Sequence, residues 1–248
     1  MPAARGPENS LIEDALAALC DALSELSAPW MVIGGIAVIA HGVQRMTTDI
    51  DAVIQGDCVS MSALIAVLRR HEILPRIDDA ETFAAANLVL LVRHQPTQVD
   101  LDLSFGWTAF ERDALASRAN TLYGTVTAPM ARVEDLLVFK AIAGRSRDVD
   151  DAVTLLTLYP NVDLNYVRGR VIALAELAEA PELLLGLDAI LLALRSLHVR
   201  PLSTRVGSSR SDDKRKSSQK KIGKKPGPAK TLKKRGKKPS PAKTPSKR

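Results

Sequence analysis

One stretch, Trp30–Ile54 (WMVIGGIAVIAHGVQRMTTDIDAVI), constrains the fold more than any other part of the chain. An apolar run meets the pair Gly34 and Gly35, and a short apolar segment follows. The stretch ends in a second run rich in residues that favour β-structure. This order predicts a strand, a glycine turn, a short helix and a second strand.

The second predicted strand carries two carboxylates. Successive side chains of a strand point to opposite faces, so Asp49 and Asp51 project from the same side. Like charges this close repel each other unless a cation lies between them. Mg²⁺ accepts oxygen ligands and commonly keeps water or phosphate oxygens in its remaining positions. The pair therefore predicts a Mg²⁺ site.

The glycine pair suggests the other half of such a site. Gly34 and Gly35 tolerate a positive φ and let the backbone approach a ligand closely. A helix that begins just after them offers unpaired N–H groups and the positive end of its dipole to a phosphate. A nucleoside triphosphate with its metal fits both halves.

The same stretch resembles the DNA polymerase beta-like nucleotidyltransferases, and within them the minimal and abortive-infection type toxins. These proteins share a hydrophobic residue with a glycine pair, followed by Asp-hydrophobic-Asp, and the matching segments here are Ile33–Gly35 and Asp49–Asp51. The toxin-like branch adds Arg-x-Thr before the aspartates, matched by Arg45 and Thr47. The resemblance implies that Arg45 and Thr47 belong to the nucleotide site with the glycines.

A predicted β-hairpin offers a third carboxylate. Its strands are Leu88–Arg93 and Val99–Phe105, and Asp100 and Asp102 share one face of the second strand. The family places its third metal carboxylate on such a strand, often within Asp-hydrophobic-Ser-x-Gly, which Asp102–Gly106 matches. The resemblance favours Asp102 as the third Mg²⁺ ligand, with Asp100 as the alternative.

Lys140 is the only lysine in residues 1–202, where the other fifteen basic residues are arginines. It lies on an otherwise apolar predicted helix, and a compact ammonium group suits contact with a phosphate. The toxin-like family also places Ala-Gly-Arg, Arg-Asp and Asp after a helical lysine, and this sequence has them at 143–145, 147–148 and 151.

This resemblance implies that Lys140 contacts the triphosphate and that Asp148 and Asp151 lie near the site. The two aspartates share a helical face, from which they could hold Arg145 or Lys140 in position. The alternative for Asp148 and Asp151 is that acidic residues stabilise the start of a helix against its dipole.

The rest of residues 1–202 predicts helices on either side of the strands. Hydrophobic periodicity indicates helices over Ser10–Leu26, Ser60–His71 and Phe110–Ala119, two within 131–159 and two within 164–197. Ile73–Ile77 reads as a short extended piece, 78–87 stays open between loop and helix, and Leu122–Thr127 is predicted as a single edge strand.

The predicted fold class is α+β: a nucleotidyltransferase-like mixed β-sheet flanked by helices, followed by a helical cap and a disordered basic tail. We expect residues 1–129 to form the catalytic domain and residues 130–202 a helical region that completes the site. Residues 203–248 form the tail.

The tail differs sharply in composition from the preceding chain. Residues 203–248 hold 18 of the 34 Lys and Arg residues and only two acidic ones, Asp212 and Asp213. With so few apolar residues, the segment cannot offset its ordering entropy by burial. Without aromatic residues to stack on bases, we expect it to bind nucleic acid through counterion release and without sequence preference. The alternative is a solubility tail.

Other features limit the functional classes. The chain has no run of 18 apolar residues and no signal peptide, so we expect a cytoplasmic protein without a membrane partner. Cys20 and Cys58 have no CxxC spacing and lie in apolar surroundings, which predicts buried thiols rather than a disulfide or a metal site.

These residues together predict a Mg²⁺-dependent nucleotidyltransferase that moves a nucleoside monophosphate from an NTP to an acceptor hydroxyl, with pyrophosphate leaving. Relatives that the chain resembles act as toxins of toxin–antitoxin pairs, some on the acceptor ends of transfer RNAs. The resemblance therefore implies an RNA acceptor and an antitoxin partner. Two alternatives stay open: a non-catalytic protein that binds nucleic acid through its tail, and a transferase that modifies a protein or a small molecule.

Overall fold

The computed structural model describes residues 7–199, which contain seven strands and nine α-helices. The strands are β1 Trp30–Ile33, β2 Asp49–Gln55, β3 Ile73–Pro75, β4 Val89–His94, β5 Val99–Gly106, β6 Ala119–Tyr123 and β7 Val126–Met130. The helices are α1 Pro7–Ser24, α2 Gly34–Ala40, α3 Met61–Arg70, α4 Ala80–Asn87, α5 Ala109–Ser117, α6 Val133–Ala143, α7 Ser146–Leu158, α8 Leu164–Leu177 and α9 Leu184–Val199. The predicted α+β class is confirmed, while the predicted disordered tail lies outside the described residues.

All seven strands form one mixed sheet, in the order β3-β4-β5-β2-β1-β7-β6. The central strands β2 and β5 are parallel, whereas β2 pairs antiparallel with β1 and β5 pairs antiparallel with β4. Parallel strands begin at the same edge of a sheet. The pairing of β2 with β5 therefore brings the first residues of both strands together.

The two faces of the central strands differ in polarity. On one face Ile50, Ile54 and Leu101 are fully buried, and α1 packs against both strands. The opposite face begins with the aspartates of β2 and β5, because side chains alternate along each strand. The polar chemistry therefore lies at the start of the second face, while Val53 further along that face is buried in the core.

Helices α7, α8 and α9 pack around α6. Leu136, Leu137, Val138 and Ala141 of α6 are all buried, so this helix is apolar on most of its faces. A helix with that pattern is stable only inside a packed layer. Contacts of α6 with α2 connect this helical layer to the helix that begins with the glycine pair.

The prediction of one edge strand over Leu122–Thr127 was wrong. A turn at Gly124, which has φ +60°, divides the segment into β6 and β7. The Glu13 carboxylate of α1 accepts hydrogen bonds from the Thr125 N–H at 2.9 Å and the Thr125 hydroxyl at 2.7 Å. Glycine followed by a small polar residue is a typical two-residue hairpin turn, so β6 forms the edge and β7 lies inside the sheet.

The prediction of two buried thiols was also wrong, because Cys58 is exposed and Cys20 only partly buried. The open segment 78–87 contains α4, which ends where Leu88 takes a left-handed conformation with φ 55°. The described residues form one compact unit. None of their helices is both long and apolar enough to cross a membrane.

Helix α9 packs tightly against α6 at Gly186. A methyl group there would lie 2.0 Å from the carbonyl oxygen of Ala141 and 3.1 Å from the Cα of Gly144. Since backbone atoms cannot rotate away, Gly186→Ala would push the helices apart. We predict that it lowers the free energy of unfolding by about 2 kcal/mol, measured by urea denaturation.

The matched control is Gly169→Ala on α8, where an added methyl group meets no atom within 4 Å. Alanine is the better helix former, so this change should raise the free energy of unfolding by about 0.5–1 kcal/mol. Equal effects of the two substitutions would contradict the close packing of α9 on α6.

Candidate active site

Four aspartates line the start of the parallel strand pair. The register places Asp49 opposite Asp100 and Asp51 opposite Asp102. Side chains of the same parity share a face, so all four project from the polar side of the sheet. The antiparallel pairing with β1 sets Ile33 beside Asp51, which brings the glycine turn to the same place. The structure thus brings the predicted carboxylates and the glycine pair together.

Asp51 is the most perturbed of these carboxylates. Burial raises its pKa to about 6, and the negative charges of Asp49 and Asp102 act in the same direction. The positive charges of Lys140 and Arg145 oppose this rise. Because the Coulomb energy falls as the distance grows, these opposing effects place Asp51 between the acidic and the basic groups of the site.

Asp100 and Asp102 differ in their partners. Arg93 binds Asp100 at 2.5 Å and holds the pKa of that carboxyl below its usual range. Arg76 also binds Asp100, at 2.8 Å, and forms a second ion pair with Asp102. Burial nevertheless raises the pKa of Asp102. Since Asp102 stands opposite Asp51 and Asp100 is neutralised by two arginines, the geometry favours Asp102 as the third carboxylate.

Sequence reasoning missed both arginines. Arg93 stands directly opposite Asp100 in the hairpin, so correct pairing of the two strands would have found it. Arg76 follows the end of β3, which pairs only with β4. Its contact with Asp102 depends on long-range folding, and no local motif signals it.

The donor set fits a divalent cation in its chemistry. Asp49, Asp51 and Asp102 offer oxygen ligands on one face, and the pKa of Asp51 is raised first by burial and then by repulsion from Asp49 and Asp102, which a cation would relieve. Within residues 7–199, however, no group of three or more His, Cys, Asp or Glu side chains is placed so that it could hold a metal ion. Asp102 pairs with Arg76 instead.

The glycine pair is explained by contacts within the chain. Gly34 has φ +61°, and a methyl group there would lie 1.9 Å from Oδ2 of Asp51. A methyl group at Gly35 would lie 2.5 Å from the hydroxyl oxygen of Thr47. That hydroxyl donates a 2.8 Å hydrogen bond to Oδ1 of Asp49. The glycine pair therefore lets the backbone pass close to the Asp51 carboxylate and to Thr47, which binds Asp49.

Lys140 is at the centre of a buried ionic network. Its side chain is 7% exposed, and Nζ lies 2.9 Å from Oδ1 of Asp148 and 2.8 Å from Oδ2 of Asp151. Asp151 also pairs with Arg45, while Asp148 accepts a 2.6 Å hydrogen bond from Nε of Arg145. The two aspartates hold the basic side chains as predicted: Asp148 contacts both Lys140 and Arg145, and Asp151 contacts Lys140.

Asp148 has both of its predicted roles, since it holds basic side chains and also lies at the start of a helix. Its carboxylate also accepts a 3.3 Å hydrogen bond from the Arg145 backbone N–H at the start of α7, as a helix-capping residue does. Burial alone would raise the pKa of Asp148, but its hydrogen bonds with Arg145 and Lys140 lower it. Asp148 is therefore held in its charged form by the residues it positions.

Loss of this charge should destabilise the protein. Asp148→Asn would leave the buried ammonium of Lys140 with Asp151 as its one carboxylate partner in the network. We predict a fall of about 3 kcal/mol in the free energy of unfolding, measured by urea denaturation at neutral pH. Asp150→Asn is the matched control, because Asp150 lies on the same helix and is exposed. If both variants unfold at the same urea concentration, the network does not stabilise the fold.

The chain is similar to known nucleotidyltransferases in sequence. Residues 16–211 match the family model described as "Nucleotidyl transferase AbiEii toxin, Type IV TA system". No curated protein sequence gives a match.

Three solved structures share weaker similarity. The antibiotic-resistance factor ANT(2'')-Ia is 16% identical over 77% of this chain and 96% of its own, with a TM-score of 0.47. JHP933 from Helicobacter pylori is 13% identical over 79% of this chain and 97% of its own, with a TM-score of 0.43. An antigenic nucleotidyltransferase-like protein from Paracoccidioides brasiliensis is 16% identical over 73% of this chain and 93% of its own, with a TM-score of 0.42. The family match spans every strand of the sheet and the helices around α6, and the chain belongs to the AbiEii nucleotidyltransferase toxin family of type IV toxin–antitoxin systems.

Proposed function

We propose that the protein transfers a nucleoside monophosphate from an NTP to an acceptor hydroxyl in a Mg²⁺-dependent reaction. The observation that supports this most directly is the strand register that sets Asp51 opposite Asp102, with Asp49 on the same face and the cation Lys140 nearby. A metal-bound triphosphate needs this combination of oxygen ligands and positive charge.

Asp49, Asp51 and Asp102 would hold the metal. When bound, two Mg²⁺ ions supply charge that stabilises both the attacking and the leaving oxygen in an in-line displacement. Asp102 would exchange its ion pair with Arg76 for this contact. Asp100, the alternative ligand, keeps Arg76 and Arg93 in place beside the site.

The remaining site residues would bind or position the triphosphate. Lys140 provides a positive charge for the phosphates, and Asp148 and Asp151 fix its direction. Gly34 and Gly35 cradle the phosphates at the turn that closes over Asp51.

Arg45 and Thr47 would act on the nucleotide through the carboxylates that they hold. Arg45 forms an ion pair with Asp151, and the Thr47 hydroxyl donates a hydrogen bond to the Asp49 carboxylate. Each therefore fixes one acidic group relative to the bound substrate.

We propose RNA as the acceptor class. The basic residues 203–248 suit a polyanionic acceptor, because positive charge raises the rate of encounter with any polyanion. Family membership also makes an antitoxin protein the expected partner. Transfer to a protein or a small molecule, and nucleic-acid binding without catalysis, are the alternatives that the experiments below separate.

The first experiment measures transfer. Wild-type protein is incubated with Mg²⁺, each labelled NTP and total RNA, alongside the variants Asp49→Ala and Asp51→Asn. Loss of a metal ligand should lower the rate by about 10³-fold, since several kcal/mol of transition-state stabilisation disappear. Chelation with EDTA should stop transfer, and added Mg²⁺ should restore it.

Asp188→Asn serves as the control, because Asp188 is exposed on α9. It should transfer label at the wild-type rate. If wild type labels neither RNA, protein nor small acceptors with any NTP, the protein is not a nucleotidyltransferase. If both site variants keep full activity, the carboxylates are not the metal site.

A second experiment tests the tail. Removal of residues 203–248 should weaken RNA binding and flatten its salt dependence. The slope of log K against log salt should change by about 0.7 for each single-strand phosphate that the shortened protein no longer neutralises. Binding is measured by fluorescence anisotropy at several salt concentrations. An unchanged slope would mean that the tail serves only solubility.

A further inference from the structure

Trp107 is an exposed tryptophan with a fixed backbone. It directly follows β5, and 57% of its surface is exposed. Its backbone N–H donates a 3.0 Å hydrogen bond to Oε2 of Glu111, and its backbone carbonyl accepts one of 2.8 Å from Nη1 of Arg112. Two side chains of α5 thus fix the backbone at Trp107, while the indole itself forgoes the stabilisation of burial. An exposed aromatic surface of this kind is suited to stacking on a planar ligand.

Trp107 lines a cavity of about 370 Å³ on the carboxylate face of the sheet. Val53 and Ser104, which also line it, lie two residues beyond Asp51 and Asp102 on their strands. Since residues two apart share a face, the cavity continues the same surface that carries the aspartates.

The lining of the cavity indicates what it can bind. Its wall is mostly apolar and includes Phe110 and Phe139, whose ring centroids lie 5.1 Å apart. Of the described residues around it, none is lysine or arginine. The carboxylate of Glu111 is already engaged by the Thr108 N–H and hydroxyl and by the Trp107 N–H. The cavity therefore suits an uncharged, flat group rather than a phosphate.

The volume and the position of the cavity both suit a nucleobase. Pockets for small molecules typically measure about 300–1,000 Å³ and combine apolar walls with a few polar groups. Phe139 directly precedes Lys140, the cation beside Asp51. A nucleotide could thus place its base against Trp107 while its phosphates or hydroxyl face the carboxylates.

We propose that Trp107 and the adjoining cavity bind the planar nucleobase of a substrate, with the indole stacked on the base. This inference rests on the proposed function and names the part of the substrate that this surface receives. Both the donor NTP and an RNA acceptor carry such a base, and the second experiment below distinguishes them.

The first experiment measures binding without transfer. Trp30, the chain's other tryptophan, is 9% exposed, so quenching of tryptophan fluorescence by an added ligand reports mainly on Trp107. The full chain is titrated with adenosine, guanosine, cytidine and uridine, with ribose 5-phosphate as a base-free control. At least one nucleoside should quench saturably, and ribose 5-phosphate should not. The proposal is overturned if no nucleoside quenches or if ribose 5-phosphate quenches equally.

The second experiment compares Trp107→Ala with Trp107→Phe in the transfer assay. Loss of stacking should raise KM by about tenfold in Trp107→Ala, and the phenylalanine ring should restore most of the affinity. A higher KM for the NTP identifies the donor base, whereas a higher KM for RNA identifies the acceptor base.

Leu192→Ala is the control, because Leu192 is an exposed apolar residue on α9, 66% exposed. It should leave both KM values unchanged. Unchanged KM values in a folded Trp107→Ala, or equal losses in the alanine and phenylalanine variants, would overturn the proposal. If wild type transfers no label, the proposed function fails, but the nucleoside titration still decides whether Trp107 binds a base.

Discussion

The site depends on the repulsion that the parallel register of β2 and β5 creates. Asp51 is partly buried opposite Asp102 and beside Asp49, and their charges add to the effect of burial on its pKa. Such an arrangement costs free energy unless positive charge lies close by. The structure supplies that charge from two sides, with Arg76 against Asp102 and Lys140 near Asp51.

Each compensating charge requires a further partner. A buried ammonium is unfavourable alone, and Lys140 is stabilised by Asp148 and Asp151 of α7. Asp151 in turn pairs with Arg45, which lies in the segment before β2. The ion pairs therefore link α6 and α7 to the segment before β2, and the charge of Lys140 acts on Asp51 of the sheet. These links explain why the helical layer around α6 is part of the candidate site rather than a separate cover.

Local patterns in the sequence predicted the parts of this site that local geometry determines. Alternation along a strand was enough to place Asp49 and Asp51 on one face, and the isolation of Lys140 among arginines marked it as distinct. The roles of Arg76 and Trp107 depend on which distant segments meet, so no spacing revealed them. The close approach of Gly34 to Asp51 was hidden for the same reason, because it requires the register of β1 against β2.

The double pairing of Arg76 has a consequence for the proposed metal site. Asp100 has a lowered pKa and stays charged, with Arg93 as its closest partner. At the proposed metal site a cation would displace Arg76 from Asp102, and the guanidinium would keep its 2.8 Å contact with Asp100. Neither Arg76 nor Asp100 would then be left as an unpaired charge. The exchange at Asp102 would therefore avoid the desolvation cost that usually follows when one partner of an ion pair is removed.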